Sequence, residues 1–311
     1  MNILLSTDNN YVMPTGVLMT SIGYNNGSDT NYFILVNEEF TDDSRESLTR
    51  VANKFGNNIS FFTITQEMTK DFPFGRADQP MHVSIATYYR LFVTEFLPKT
   101  VEKIIYLDGD IIVRRSLADL WTTDIDNYAL GVIGDMHEVK HVQSERLPYD
   151  MKNEGYFNAG VLLINVKYWR ENNSLKACYD VIEKYPELLK YHDQDVLNIA
   201  FHDKKKWLPV TYNMQTGFLF KNQKIWNSPQ IEEDLNVMKH DPIIDHYTTD
   251  KPWKLECFSP YCKDWRKYFF RTEWEKNKLE GEELHPTLKR RIRNWLVRHC
   301  WYIPANLYQK L

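Results

Sequence analysis

The sequence predicts an α/β protein with a mostly parallel sheet flanked by helices and a small helical, basic C-terminal segment. Three observations carry this. Through the first half, short apolar runs alternate with amphipathic stretches, the rhythm of parallel strands joined by crossover helices. The chain has 311 residues, 43% of them hydrophobic, enough for one large α/β domain or a domain with an appendage. After about residue 255 the composition shifts, and PTLKRRIRNWLVRHCWYIP (286–304) is dense in arginine and aromatics.

Taken in order, NILLS (2–6) reads as a strand and PTGVLMTSIGYN (14–25) as a helix with Pro14 near its start, where its missing N–H has no partner to lose. YFILVN (32–37) is a second strand. In 43–55, Leu48, Val51, Ala52 and Phe55 fall at helical spacing, with Asp and Ser before them as cap candidates. ISFFTI (59–64) is a third strand, SIATYYRLFVTEFL (84–97) a helix and KIIYLD (103–108) a fourth strand. Beyond residue 130, YALGVIGD (128–135) and YFNAGVLLINV (156–166) read as strands and DQDVLNIAFH (193–202) as a helix, whereas 210–245 reads only as mixed loops and short strands.

Lys+Arg 38 against Asp+Glu 42 leaves a net charge of −4, so no nucleic-acid partner is expected. None of the four cysteines, Cys178, Cys257, Cys262 and Cys300, forms a CxxC pair. MNILLSTDNN shows no leader pattern, and no apolar run reaches the ~18 residues of a membrane span. A reduced, cytoplasmic protein is expected.

The chemistry concentrates in KIIYLDGDIIV (103–113), where Asp108 and Asp110 interrupt a run that otherwise suits a buried strand. Burying an unpaired carboxylate is costly, and two like charges close together cost more. At an extended strand end, residues i and i+2 point the same way. Both acids would then converge beyond the carboxyl end of the fourth strand, where open α/β sheets bind ligands. A divalent cation would compensate both charges; a wet turn whose acids cap the next segment is the bland alternative. A phosphate-bearing substrate is the natural partner of such a metal. Neither G-x-G nor G-x-x-x-x-G-K occurs, which disfavours P-loop and dinucleotide chemistry. A phosphatase of the haloacid type also places D-x-D after a strand. It normally does so near the start of its domain and with Thr or Val where Ile112 stands here.

Six stretches then appear in order: STDNNY (6–11), HVSIATYYR (82–90), YLDGDIIV (106–113), YFNAGVLLINVKYWR (156–170), HDQDVLN (192–198) and HYTTDKPWK (246–254). Together they resemble glycosyltransferase family 8, retaining galactosyl- and glucosyltransferases, over residues 1–255. The resemblance implies a GT-A fold with a Rossmann-like sheet, a UDP-hexose donor and Mn²⁺, with Mg²⁺ as the alternative. Residues 1–255 would form the catalytic domain. Residues 256–311 would serve acceptor or membrane association.

By the same resemblance Asp8, Asn10 and Tyr11 meet the uridine, Asp8 accepting from uracil and Tyr11 stacking. Asp108 touches metal and ribose, Asp110 binds the metal and His246 is the third protein ligand. Arg90 faces the donor sugar and Lys251 neutralises the diphosphate. Asp135 and Asp193 grip sugar hydroxyls, Asn158 and Ala159 flank the reaction centre, and Gln194 lies beneath the anomeric carbon. The acceptor would be a saccharide on a glycan, glycolipid or glycoprotein. Thr249 stands where family members often have glycine. This departure supports the alternative of a carbohydrate-binding protein with weak turnover.

In TLKRRIRNWLV, Leu288, Ile292, Trp295 and Leu296 share one helical face while Lys289, Arg290, Arg291 and Arg293 point mostly elsewhere. That pattern resembles an interfacial anchor at the inner face of the cell membrane. A helix packed on its own domain is the other reading.

Overall fold

A computed structural model describes residues 1–73, 85–220, 235–282 and 287–300. The first residues of HVSIATYYR and both ends of the 286–304 stretch lie outside them. In chain order the strands are β1 (Asn2–Ser6), β2 (Asn31–Asn37), β3 (Asn58–Ile64), β4 (Lys103–Leu107), β5 (Ile111–Val113), β6 (Leu130–Gly134), β7 (Phe157–Asn165), β8 (Lys205–Trp207), β9 (Met214–Gln215) and β10 (Ile244–His246). Among the described residues they build a seven-stranded sheet of order β3-β2-β1-β4-β7-β6-β8 and a three-stranded sheet of order β5-β10-β9. Strands β3, β2, β1 and β4 are parallel, as are β6 and β8; β7 runs against both β4 and β6.

Burial explains why the strands read as plain apolar runs. All nine residues of β7 and all five of β6 are buried, because the sheet is covered on both faces. The helix expected over 14–25 is α1 (Val12–Asn26), with Pro14 in its first turn. The helix expected over 43–55 is α2 (Asp42–Lys54); its cap is Thr41, whose Oγ1 accepts from Ser44 N at 3.3 Å, not the acids that follow.

The helix expected over 84–97 is a 3-10 helix, Ile85–Phe92, ending in a single α-turn, Val93–Phe96. At three residues per turn, side chains at i and i+3 eclipse. Thr87 and Arg90 therefore stack on one edge, and both face the same cavity. Tertiary contacts to that cavity win over local helix preference.

Helix α3 (Glu138–Ser144) follows β6, and α4 (His192–Phe201) precedes β8. Near the C-terminus, α5 (Cys262–Phe269) buries Trp265 and Phe269 fully, in the cluster that holds Val17, Leu18 and Ile22 of α1. The last helix, α6 (Leu288–Arg298), inserts Val297 into that cluster. Buried Arg266 clips it down, donating to Val297 O and also to Lys254 O and Leu255 O at 2.9 Å each. The expected apolar stripe faces outward: Leu288 is 72%, Ile292 56% and Trp295 49% exposed.

Candidate active site

The acidic pair does not extend β4. Asp108, Gly109 and Asp110 form the turn between β4 in the large sheet and β5 in the small one. The carboxylates still converge, because the turn aims both into one corner. His246, the last residue of β10, closes it: His246 Nε2 lies 3.3 Å from Asp110 Oδ1 and 3.9 Å from Asp108 Oδ2. The antiparallel course of β7 delivers the next group. Its first residues reach the carboxyl end of β4, where Asp108 N donates to Gly160 O at 2.9 Å. Asp135 arrives from the end of β6 and Asp193 with Gln194 from the first turn of α4.

The corner fits a divalent cation. One ligand atom from each of Asp108, Asp110 and His246 lies within 4.8 Å of the others. Two carboxylates and an imidazole are a donor set for Mn²⁺ or Mg²⁺ chemistry. The space is kept by Gly160: a Cβ there would meet His246 Cε1 at 2.3 Å and Asp108 Oδ2 at 2.7 Å. Lys251 donates to Asp110 Oδ2 and to Tyr247 O. Burial alone would raise the Asp110 carboxyl, but Lys251 and His246 outweigh it and hold it well below the ordinary range. Burial pushes the Tyr11 hydroxyl up, and Asp110 and Asp108 add to the shift.

Arg90 is a buried clamp. Its Nη2 donates to Asp108 Oδ1 at 2.9 Å, its Nη1 to Ala159 O and its Nε to Thr87 O at 3.0 Å. The guanidinium lies 4.1 Å from the Tyr106 ring centre, and Tyr106 Oη also donates to Asp108 Oδ1 at 2.8 Å. Nε lies 2.9 Å from Asp193 Oδ2, a charge contact, since its hydrogen goes to Thr87. Asp193 thus has only one edge of a shared cation. Burial pushes its carboxyl up to about 6, against the pull of Arg90 and the Thr87 hydroxyl.

The amides are equally committed. Gln194 Oε1 accepts from Ala159 N at 3.0 Å and Asn158 Nδ2 at 3.1 Å, while its Nε2 donates to Asp135 Oδ2 at 3.3 Å and Tyr156 Oη at 3.1 Å. Burial would raise Asp135, but contact with His141 and the His137 N–H lower it overall. Asp195, the second acid of HDQD, turns to Arg146, Tyr156 and Tyr191 N and anchors the start of α4.

One cavity of about 370 Å³ is lined by every predicted site residue except Asn10: Asp8, Tyr11, Arg90, Asp108, Asp110, Asp135, Asn158, Ala159, Asp193, Gln194, His246 and Lys251. Asn10 is exposed, and its N–H is held by Asp8 Oδ1 at 2.9 Å, which also accepts from Tyr11 N at 3.1 Å. This Asp8 oxygen caps the Asn9–Tyr11 turn. Thr249 turns its hydroxyl to Thr216 at 3.0 Å. Sequence reasoning missed Thr87, Tyr156, Asn213 and Gln215. Asn213 sits in the 210–245 stretch that carries no periodic signal; its only trace is that a buried histidine needs a partner for its second nitrogen.

The chain matches the profile of Glycosyl transferase family 8 over residues 2–257. Glycosyltransferase GlyF of Streptococcus pneumoniae serotype 4 is 29% identical over 268 residues, 86% of this chain and 61% of GlyF. A lipopolysaccharide 1,2-glucosyltransferase of Escherichia coli is 27% identical over 274 residues, 86% of this chain and 74% of the relative. The crystal structure of the galactosyltransferase LgtC with donor and acceptor sugar analogs superposes with a TM-score of 0.76 at 27% identity, covering 88% of this chain and 99% of LgtC. The large, mostly parallel sheet with its flanking helices is the GT-A fold, and the chain belongs to glycosyltransferase family 8.

Proposed function

We propose that this protein is a retaining hexosyltransferase that moves galactose, or else glucose, from a UDP-hexose to a saccharide acceptor on a glycan, glycolipid or glycoprotein. The observation that carries the reading is the convergence of Asp108, Asp110 and His246, with Lys251 beside them, in a cavity of about 370 Å³. That volume lies in the range of small-ligand sites. LgtC is a galactosyltransferase, which favours galactose by analogy.

Asp108, Asp110 and His246 would hold Mn²⁺, or Mg²⁺, which supplies Lewis-acid stabilisation of the departing diphosphate. Lys251 adds a cation on the same side. Arg90, Asp135 and Asp193 orient the sugar. A double displacement needs a nucleophile under the anomeric carbon. Gln194 is an amide, and its oxygen already accepts two hydrogen bonds. This favours attack by the acceptor from the leaving-group face, with the phosphate taking the acceptor's proton.

We propose residues 1–255 as the catalytic unit, working in the cytoplasm. Residues 256–311 would serve acceptor or membrane association; outward-facing Leu288, Ile292 and Trp295 support peripheral contact through the 286–304 stretch. No helix among the described residues is long and apolar enough to cross a membrane.

The test is a donor screen: UDP release from a panel of UDP-sugars with Mn²⁺, with and without saccharide acceptors. Turnover with UDP-galactose or UDP-glucose that falls by about 10²-fold or more in Asp110→Ala is expected. Unchanged activity in that variant rejects the metal role.

A further inference from the structure

We propose that Asn213 is a positioning residue that fixes which nitrogen of His246 faces the acidic pair and links that choice to the amides at the reaction centre. The proposal rests on the metal reading of Asp108, Asp110 and His246 given above.

A backbone N–H can only donate. Gly160 N points at one oxygen of the Asn158 side chain, Oδ1, at 3.0 Å, so that atom is the acceptor end. The Asn158 Nδ2 end then meets two acceptors, Asp135 Oδ2 and Gln194 Oε1, each at 3.1 Å. Ala159 N fixes Gln194 the same way, at 3.0 Å from Oε1.

Asn213 touches Asn158 Oδ1 at 2.9 Å. Only its amide nitrogen can do so, which turns its own Oδ1 to His246 Nδ1 at 2.8 Å. An amide oxygen needs a donor, so Nδ1 carries the hydrogen. A neutral imidazole protonated there presents a bare lone pair at Nε2, the nitrogen that faces Asp110 and Asp108. That is the nitrogen a metal requires, and its ligand state is set by the bond the other nitrogen makes. Asn213 is fully buried and His246 only 3% exposed, so water does not offer a substitute partner. Two adjacent backbone amides of β7 thus set Asn158 and Gln194 on one side and, through Asn213, His246 on the other.

The tautomer is read directly on the wild-type protein without metal. Long-range proton–nitrogen NMR on histidine-labelled protein, with His246 assigned by its loss in His246→Gln, should show hydrogen on Nδ1, whether or not Nε2, 3.3 Å from Asp110 Oδ1, carries a second one. Hydrogen on Nε2 alone overturns the proposal. The Mn²⁺ affinity of Asn213→Leu, measured by electron paramagnetic resonance with MnCl₂ and UDP, is expected to be about 10- to 100-fold weaker than wild type. Asn213→Asp still accepts from Nδ1 but sets a carboxylate oxygen against Asn158 Oδ1, so it should recover only part of that loss. Wild-type affinity in Asn213→Leu overturns the proposal alone. Failure of the wild-type protein to bind Mn²⁺ brings down the metal reading, and this inference with it.

Discussion

Gly160→Ala adds one methyl group at the narrowest point of the site. The φ of Gly160 lies outside the left-handed region, so the backbone accepts alanine and the perturbation is purely steric. The new Cβ would lie 2.3 Å from His246 Cε1, about 1.1 Å inside an ordinary 3.4 Å contact, and 2.7 Å from Asp108 Oδ2. Neither neighbour moves freely. The imidazole is buried and tied to Asn213 at 2.8 Å, and Asp108 Oδ1 is held by Arg90 at 2.9 Å and Tyr106 at 2.8 Å. Relief requires moving a proposed metal ligand by roughly 1 Å, a displacement that costs ~10²-fold in rate. The overpacking itself costs ~1–3 kcal/mol of stability. UDP release with donor and Mn²⁺, beside a urea unfolding curve, separates the two effects. Folded Gly160→Ala protein that turns over at the wild-type rate with unchanged Mn²⁺ affinity would refute the steric account of this corner.

Other perturbations act on other groups. Burial pushes Glu138 up to about 7. Its stabilising contribution is therefore complete below its ordinary value of 4.5 and fades as pH rises through about 7. Glu138→Gln, which mimics the protonated form, should match wild type at pH 4 and gain up to ~3 kcal/mol on it by pH 8; parallel urea midpoints across that range would contradict this. Arg90→Lys keeps a charge but loses the fork that grips Asp108 and Ala159 together, and should lower unfolding free energy by ~2–4 kcal/mol; an unshifted urea midpoint would rule that out. Replacing Leu288, Ile292 and Trp295 with serine should weaken sedimentation with anionic liposomes at least about tenfold. Equal sedimentation counts against membrane contact through α6.

Most of the sheet was readable from the sequence because strands buried on both faces leave plain apolar runs, while the partly exposed edge strand β3 was announced by its β-branched and aromatic residues; β1 to β4, β6 and β7 lie within a residue or two of the runs that announced them. The direction of β7 was not readable, since a run buried on both faces has no polarity of its own. The acidic pair was conspicuous because carboxylates are rare between IIYL and IIV. Its geometry was not: the extended-end argument brought the carboxylates together, whereas a turn between two sheets does so in the structure. The 3-10 course of Ile85–Phe92 is set by contacts to Asp108 and Asp193, residues distant in sequence. Asn213 was hidden because an asparagine in an aperiodic stretch announces nothing until its neighbours are known.

Gly109 gives the acidic turn a mechanical meaning. Asp108 directly follows β4 of one sheet and Asp110 directly precedes β5 of the other, with a single residue between them. A ligand that grips both carboxylates rivets the sheets across this seam. Occupancy and cohesion then become one quantity, and the protein should be stiffest while it is loaded and loosest just after discharge.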